Sequence, residues 1–167
     1  MRPARPRLGA PHLLARASHD WHVYDPARKM PWKTIPGVNW ETDTVTWHTV
    51  EAPVGGLVSP TGREVYLYSG GCFFAYYAVG ALARDESGAL TDLSRDDQTI
   101  VLGPHTERQF FAPGHCSHLR LPDDATGRRE YLMFHARFGS MDAPRQMALA
   151  PLRWTPEGLP YTRPFES

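Results

Sequence analysis

The stretch PTGREVYLY at residues 60–68 returns later in the chain as ATGRREYLMF at residues 125–134. Each copy joins a turn-forming Thr-Gly pair to a run rich in β-branched and aromatic residues, which is the composition of a turn followed by a strand. The copies lie about 65 residues apart, a spacing that suits a four-stranded propeller blade with long loops. A coincidental pair of similar hairpins in a β-sandwich is the alternative interpretation.

Short strand patterns surround both copies of the repeat. Residues 44–50 alternate in hydrophobicity, and the later candidates are bounded by turn-forming residues. The later strand candidates are 64–69, 76–83, 115–121, 130–136 and 146–154. Residues 84–97 are polar and are predicted to form a long loop. Because no segment has the 3.6-residue period of an amphipathic helix, the sequence predicts an all-β protein.

Composition divides the chain into two regions. Residues 1–40 contain prolines at six positions and show no sustained period, so we predict an irregular Pro- and Arg-rich segment there. Residues 41–167 carry the strand patterns and are predicted to form the blades.

Charge and hydrophobicity exclude several classes of function. The chain has 18 basic and 18 acidic side chains, so no strong field draws it to nucleic acid or to an anionic membrane. No run approaches the roughly 20 apolar residues of a transmembrane helix. No signal peptide is recognisable, and localisation stays open between the cytoplasm and secretion from a different native start. Cys72 and Cys116 are expected to be free buried thiols, with one disulfide as the alternative.

Two polar residues near the repeat copies are candidates for a shared pocket. Glu51 stands in the segment VEAP at 50–53, and His115 ends the segment APGH at 112–115. In a propeller the innermost strand of each blade lines the central channel. We therefore predict that Glu51 and His115 hold corresponding places in the two copies and point into one pocket, as a titratable pair in a catalytic centre would.

Six short motifs in consistent order resemble glycoside hydrolase family 43. They are VEAP at 50–53, VYLYSGG at 65–71, YAVG at 77–80, PGH at 113–115, FHA at 134–136 and RQM…PLRW at 145–154. The resemblance implies a five-bladed β-propeller that is an arabinanase, an α-L-arabinofuranosidase or a β-xylosidase. This chain would be a partial propeller of about two to three blades from its carboxyl-terminal side. The implied ligand is an arabinose- or xylose-containing oligo- or polysaccharide.

The resemblance also implies a chemical role for Glu51. Enzymes of this family invert stereochemistry with two separated carboxyl groups, one protonating the departing oxygen and the other activating a water. Glu51 matches the glutamate of the family's Glu-(Gly/Ala)-Pro motif and would be the general acid. The alternative for Glu51 is an ordinary salt bridge at the end of a strand.

The other candidate site residues follow from the same resemblance. His115 matches the axial histidine, which would lie beneath the substrate and contact a bound Ca²⁺ through water; a structural histidine bonded to backbone groups is the alternative. Zinc is disfavoured because His115 and Cys116 face opposite sides of a strand. His135 and Arg145 also match family positions and would contact the sugar, with a rim ion pair as the alternative for Arg145. Phe73 is a candidate on different grounds, because it flanks a glycine-rich turn together with Phe74, Tyr76 and Tyr77. Phe73 would stack on a sugar ring, and packing between blades is the alternative.

The family's general-base aspartate has no convincing match. The aspartates that precede Glu51 are Asp20, Asp25 and Asp43, and none is assigned this role, since no strand pattern follows Asp25. The sequence therefore predicts a truncated glycosidase polypeptide with impaired activity on its own. The alternative function is a non-catalytic carbohydrate-binding piece, or a fragment completed by missing amino-terminal blades or by self-association.

Overall fold

The computed structural model describes residues 13–24, 47–73, 76–125 and 127–163. Within these ranges the chain forms strands and short 3-10 turns, without an α-helix, as the all-β prediction requires. The strands are β1 (Val23–Tyr24), β2 (Trp47–His48), β3 (Val50–Val58), β4 (Glu64–Gly71), β5 (Tyr77–Arg84), β6 (Leu90–Asp92), β7 (Phe110–Asp124), β8 (Gly127–Phe138), β9 (Gln146–Pro151), β10 (Arg153–Trp154) and β11 (Pro160–Tyr161). The 3-10 turns are Asp20–His22 and Thr106–Arg108.

Two antiparallel sheets contain one copy of the repeat each. The first sheet has the order β3-β4-β5-β6 and the second β7-β8-β9, while β1-β2 and β10-β11 are two-stranded ribbons. Thr61 and Gly62 lie in the turn that connects β3 to β4, and Gly127 of the second copy begins β8. The segment predicted as a loop at 84–97 includes β6, which at three residues is too short to show an alternating pattern. Residues 44–46 of the first predicted strand lie outside the described residues.

The first strand of each sheet carries the same two irregularities in its pairing. In β3 the register shifts after Glu51 and again after Val54, and in β7 it shifts after Phe111 and again after Gly114. Glu51 therefore corresponds to Phe111, and His115 lies beyond the first shift of β7. The prediction that Glu51 and His115 hold corresponding places is wrong, because the second hairpin is longer. Beyond its second shift β7 pairs with β8 over residues 117–121, whereas β3 pairs with β4 over Leu57 and Val58, and the repeat spacing does not reveal this difference.

The two sheets pack face to face around one apolar core, with β7 in contact with β3, β4 and β5. Close packing of this kind fixes the relative position of the sheets and of the side chains at their ends. The largest buried apolar residues of this core include Leu57, Leu67, Val79, Val101, Phe110, Leu132 and Phe134.

The outer face of the first sheet is covered by residues from the amino-terminal part of the chain. Trp21 is buried, stacks on Tyr68 with ring centroids 5.7 Å apart, and donates its indole N–H to the Ser94 carbonyl at 2.7 Å. Of the segment predicted to be irregular, residues 1–12 and 25–40 lie outside the described residues.

Cys72 and Cys116 are buried thiols that are not joined by a disulfide, as expected. Burial raises the pKa of Cys116 to about 12, so this side chain stays a neutral thiol. No helix within the described ranges has the length and apolar character needed to cross a membrane.

Candidate active site between the two sheets

Glu51 lies near the start of β3 and is held by a buried tyrosine. Its carboxylate accepts a hydrogen bond from the Tyr77 hydroxyl on β5, while the rest of the Glu51 side chain is exposed. Ala52 follows with φ of 50°, a left-handed conformation that non-glycine residues rarely adopt. The bulge at Ala52 thus turns the chain immediately after the carboxylate.

Tyr77 is fixed in place by the backbone of the opposite sheet. Its side chain is 1% exposed, and a Cβ built on Gly114 of β7 would lie only 2.0 Å from the Tyr77 ring. Glycine is therefore the residue that lets β7 approach this ring. Burial, followed by the hydrogen bond to Glu51, raises the pKa of Tyr77, so its hydroxyl remains a donor at physiological pH.

His115 is anchored by its backbone to the first sheet. Its N–H donates to the hydroxyl of Ser69 at 2.7 Å, and Ser69 is fully buried on β4. His115 has φ of 52° and an exposed side chain. The bond across the sheets keeps the His115 ring at the same end of the molecule as Glu51, whose strand partner is Ser69.

His135, Arg145 and Phe73 form the outer part of this arrangement. The Arg145 guanidinium donates to His135 Nδ1 at 3.3 Å and lies 5.4 Å from the centroid of the Phe73 ring. The rings of His115 and His135 are 6.2 Å apart. Burial, Arg145 and His115 all lower the pKa of His135. His135 is therefore neutral near pH 7, and with Nδ1 accepting from Arg145 its Nε2–H is available as a donor.

These residues form one group, which we name the Glu51 cluster: Glu51, Ser69, Phe73, Tyr77, His115, His135 and Arg145. Arg145 is close enough to Tyr77 for its charge to lower the pKa of the tyrosine slightly. The five residues predicted from the sequence thus lie at one end of the paired sheets, whereas their chemical roles stay predictions.

The sequence did not predict the contact of Ser69 with His115 or the bond of Tyr77 to Glu51. Tyr77 stands in a run of aromatic residues, and its strand alternation with the buried Val79 and Ala81 was the signal for an inward position. Ser69 gave no signal, because its role depends on an N–H that is distant in sequence.

The described residues do not fit a directly bound calcium ion. Calcium takes six to eight oxygen ligands, and no group of three or more His, Cys, Asp or Glu side chains suited to a metal occurs in the described part of the chain. The cluster itself contains one carboxylate, Glu51.

Comparison with known proteins gives matches among solved structures only. No protein-family model matches the chain, and no curated protein matches it. An α-L-arabinofuranosidase from Lactobacillus brevis is similar with a TM-score of 0.60 and 20% identity over 98% of this chain and 45% of its own. An endo-1,4-β-xylanase from Bacteroides thetaiotaomicron has a TM-score of 0.57 and 16% identity over 89% of this chain and 42% of its own. A family 43 glycoside hydrolase from Bacillus licheniformis has a TM-score of 0.52 and 20% identity over 72% of this chain and 33% of its own.

These matches cover only part of each solved structure, as the prediction of a partial propeller requires. The chain spans less than half the length of each of the three structures. The sandwich interpretation of the paired hairpins is thereby set aside, and the resemblance to family 43 is confirmed in the fold. The two sheets are blades, and this chain has the fold of part of a family 43 glycoside hydrolase β-propeller.

Proposed function

We propose that this chain takes part in the hydrolysis of O-glycosidic bonds of arabinofuranosyl or xylosyl substrates, with inversion and with Glu51 as the general acid. The observation that carries the proposal is the Glu51 cluster, in which residues distant in sequence lie at the same end of the paired sheets as one exposed carboxylate, which Tyr77 holds. The names of the similar structures, an arabinofuranosidase and a xylanase among them, support the substrate class.

The residues of the Glu51 cluster have different roles in this proposal. Glu51 carries the proton that the departing glycosidic oxygen takes up, and its exposed carboxyl can reach a ligand. Tyr77 donates to Glu51 from a fixed, buried position and therefore orients the acid. His135 offers its Nε2–H to a sugar hydroxyl, and Arg145 holds the tautomer of His135 that makes this possible.

His115 and Phe73 complete the sugar-binding part of the proposal. The His115 ring is exposed beside that of His135, which suits contact with the underside of a sugar. Phe73 is half-buried, and Arg145 lies over one face of its ring. We assign Phe73 to the apolar edge of the substrate site, where aromatic rings favour the C–H faces of sugars.

The general base must come from outside the cluster. Inversion needs a second carboxylate roughly 6.5–9.5 Å from the acid, with room for a water between them. We propose that this group belongs to other blades of a complete propeller or to a second copy of the chain. A calcium ion at the propeller axis, held through water near His115, belongs to the same proposal.

The single carboxylate of the cluster favours a second candidate function. Without a base, the same residues would bind a sugar and not cleave it, since positioned proton transfer typically contributes about 10²–10⁴-fold to the rate. This candidate is a non-catalytic carbohydrate-binding module, alone or as part of an assembled propeller.

Hydrolysis of nitrophenyl α-L-arabinofuranoside and nitrophenyl β-xyloside by the purified chain separates the two candidates. The catalytic proposal expects measurable turnover that falls in a Glu51→Gln variant of unchanged melting temperature, by less than for a natural oligosaccharide because nitrophenolate needs little protonation to depart. The binding proposal expects no turnover by either protein, together with retained affinity for an arabino- or xylo-oligosaccharide. Turnover that is equal in the wild type and in Glu51→Gln would refute the role of Glu51.

A further inference from the structure

A second cleft lies at the outer rim of the first sheet. It is bounded by residues 93–101, which follow β6, and by the β10-β11 ribbon, and its volume is about 450 Å³. Glu51 belongs to β3 at one edge of this sheet, while the cleft borders β5 and β6 at the other edge. Because neighbouring strands lie about 4.8 Å apart, the cleft is separate from the Glu51 cluster.

The cleft contains a buried hydroxyl without a partner. Thr162 is 8% exposed, and its Oγ1 has no hydrogen-bond partner among the residues that the structure describes. Its backbone N–H donates to the Val101 carbonyl at 2.9 Å, so the residue is held in position. Buried polar groups are nearly always paired, and an exception calls for an explanation. Thr162 lines this cleft and an adjoining cavity next to His105, and its Oγ1 is covered by neighbouring atoms. A ligand hydroxyl in the cleft would provide the missing partner once rotation of the Thr162 side chain brings Oγ1 to the cleft surface.

The rest of the described lining is uncharged apart from Arg163, and it contains one fixed aromatic ring. Trp154 donates its indole N–H to Glu130 at 2.5 Å, and the Arg128 guanidinium lies 5.4 Å from the Trp154 ring centroid. Gln98 and Tyr161 add an amide and a phenol to the same cleft. Among the residues that the structure describes, the lining includes no carboxylate, and its charged member is Arg163.

We propose that this cleft is a second carbohydrate-binding site for a pentose unit of an arabinose- or xylose-containing polysaccharide. Neutral hydroxyl and amide groups around an aromatic ring suit a sugar, which combines hydroxyls with apolar C–H faces. Thr162 Oγ1 forms a hydrogen bond with a sugar hydroxyl, and Trp154 and Tyr161 contact the ring. The sugar class rests on the proposed function, whereas the existence of a neutral ligand site does not.

A second site on the same chain would have a functional consequence. A polysaccharide held at the rim of the blade raises the effective concentration of its other residues at the Glu51 cluster. The effect requires a polymer long enough to reach both sites, so short substrates would not benefit from it.

Titration of the ¹⁵N-labelled chain with xylohexaose and with arabinohexaose tests the proposal. We expect amide shifts in residues 93–101 and 153–163 with at least one of the two ligands. Thr162→Val keeps the shape of the side chain and removes the hydroxyl, and should weaken binding at these residues about three- to tenfold. Gln98→Ala, at an exposed position, should weaken it as well. Thr91→Val, on β6 but outside the cleft, should leave it unchanged.

The outcomes separate this proposal from the proposed function. Shifts in the cleft that persist in Glu51→Gln support the second site whether or not the wild type turns over substrate. Shifts confined to the Glu51 cluster would overturn the second site and leave the proposed function standing. A Thr162→Val variant that changes the melting temperature but not the affinity would also overturn it, because the hydroxyl would then bond to a structural water.

Discussion

At the scale of single residues, the Tyr77 hydroxyl connects Glu51 to the core. We predict that Tyr77→Phe lowers turnover about 10–100-fold, because the acid loses the donor that orients it. The ring still packs against Gly114, so the free energy of unfolding should fall by only about 0.5–1.5 kcal/mol. Nitrophenyl glycoside kinetics and urea unfolding measure both effects. Tyr66→Phe is the matched control, because it removes a hydroxyl that bonds to Glu64 and not to Glu51. Equal turnover by Tyr77→Phe and by the wild type would contradict the positioning role of Tyr77.

His22 makes stability depend on pH. It is fully buried, its Nδ1 accepts the N–H of Ser18 at 3.1 Å, and burial lowers its pKa to about 4. The unfolded chain, with a histidine pKa of about 6.5, therefore binds more protons between these values. The free energy of unfolding should be fully retained above pH 6.5 and should fall toward pH 4, by at most about 1.4 kcal/mol per pH unit. Urea unfolding at pH 7.5 and 5 measures the slope, which should flatten in His22→Gln and persist in the exposed-site variant His48→Gln. A slope that His22→Gln leaves unchanged would contradict this assignment.

At the scale of elements, the Glu130 side chain connects β8 to Trp154 of β10 and to His118 of β7. The carboxylate is almost fully buried, accepts the Trp154 indole N–H at 2.5 Å and an Arg128 N–H at 2.9 Å, and faces His118 at 3.2 Å. Removing one partner of a buried ionic group typically costs about 3–5 kcal/mol. We predict a loss of that order for Glu130→Leu, measured by urea unfolding at pH 7, while the exposed change Glu86→Gln should have little effect. A loss below about 1 kcal/mol for Glu130→Leu would contradict the importance of this group.

The Glu130 carboxylate on β8 also makes the free energy of unfolding depend on pH in the acidic range. Burial raises the pKa of Glu130, but hydrogen bonds from Arg128 and Trp154 and the neighbouring charges outweigh it and hold the pKa below its ordinary value. The stabilisation is present above the unfolded-state pKa of about 4.3 and is lost as pH falls through the lower folded-state value. Below pH 4 the stability should therefore fall more steeply in the wild type than in Glu130→Gln. Parallel curves for the two proteins would contradict this.

The strands were predictable because their signals are local. The β-branched and aromatic runs at 64–69 and 130–136 lie within β4 and β8. The paired bulges were not predictable, since alanine at positions 52 and 112 gives no local sign of a positive φ. The contact of Tyr77 with Gly114 likewise joins two sheets, and its cause lies in tertiary packing.

At the scale of the whole molecule, the origin of the general base decides whether the chain acts alone. If a second copy supplies it, specific activity should rise with protein concentration in parallel with a dimeric or larger species in sedimentation velocity. If the base is contributed within one chain, specific activity should stay constant across the same range. Glu51→Gln mixed with wild type is the control, because active sites that lack the acid should contribute no turnover.

The central claim is that Glu51 protonates the departing oxygen, and the dependence of rate on the leaving group tests it most directly. A dinitrophenyl leaving group needs little protonation, whereas the sugar hydroxyl released from a natural oligosaccharide needs it strongly. We predict that Glu51→Gln lowers kcat/KM for xylo- or arabino-oligosaccharides about 10²–10⁴-fold and lowers that for the matching 2,4-dinitrophenyl glycoside far less. An equal loss for both substrates, no loss for either, or no turnover of either substrate by the wild type would contradict the claim.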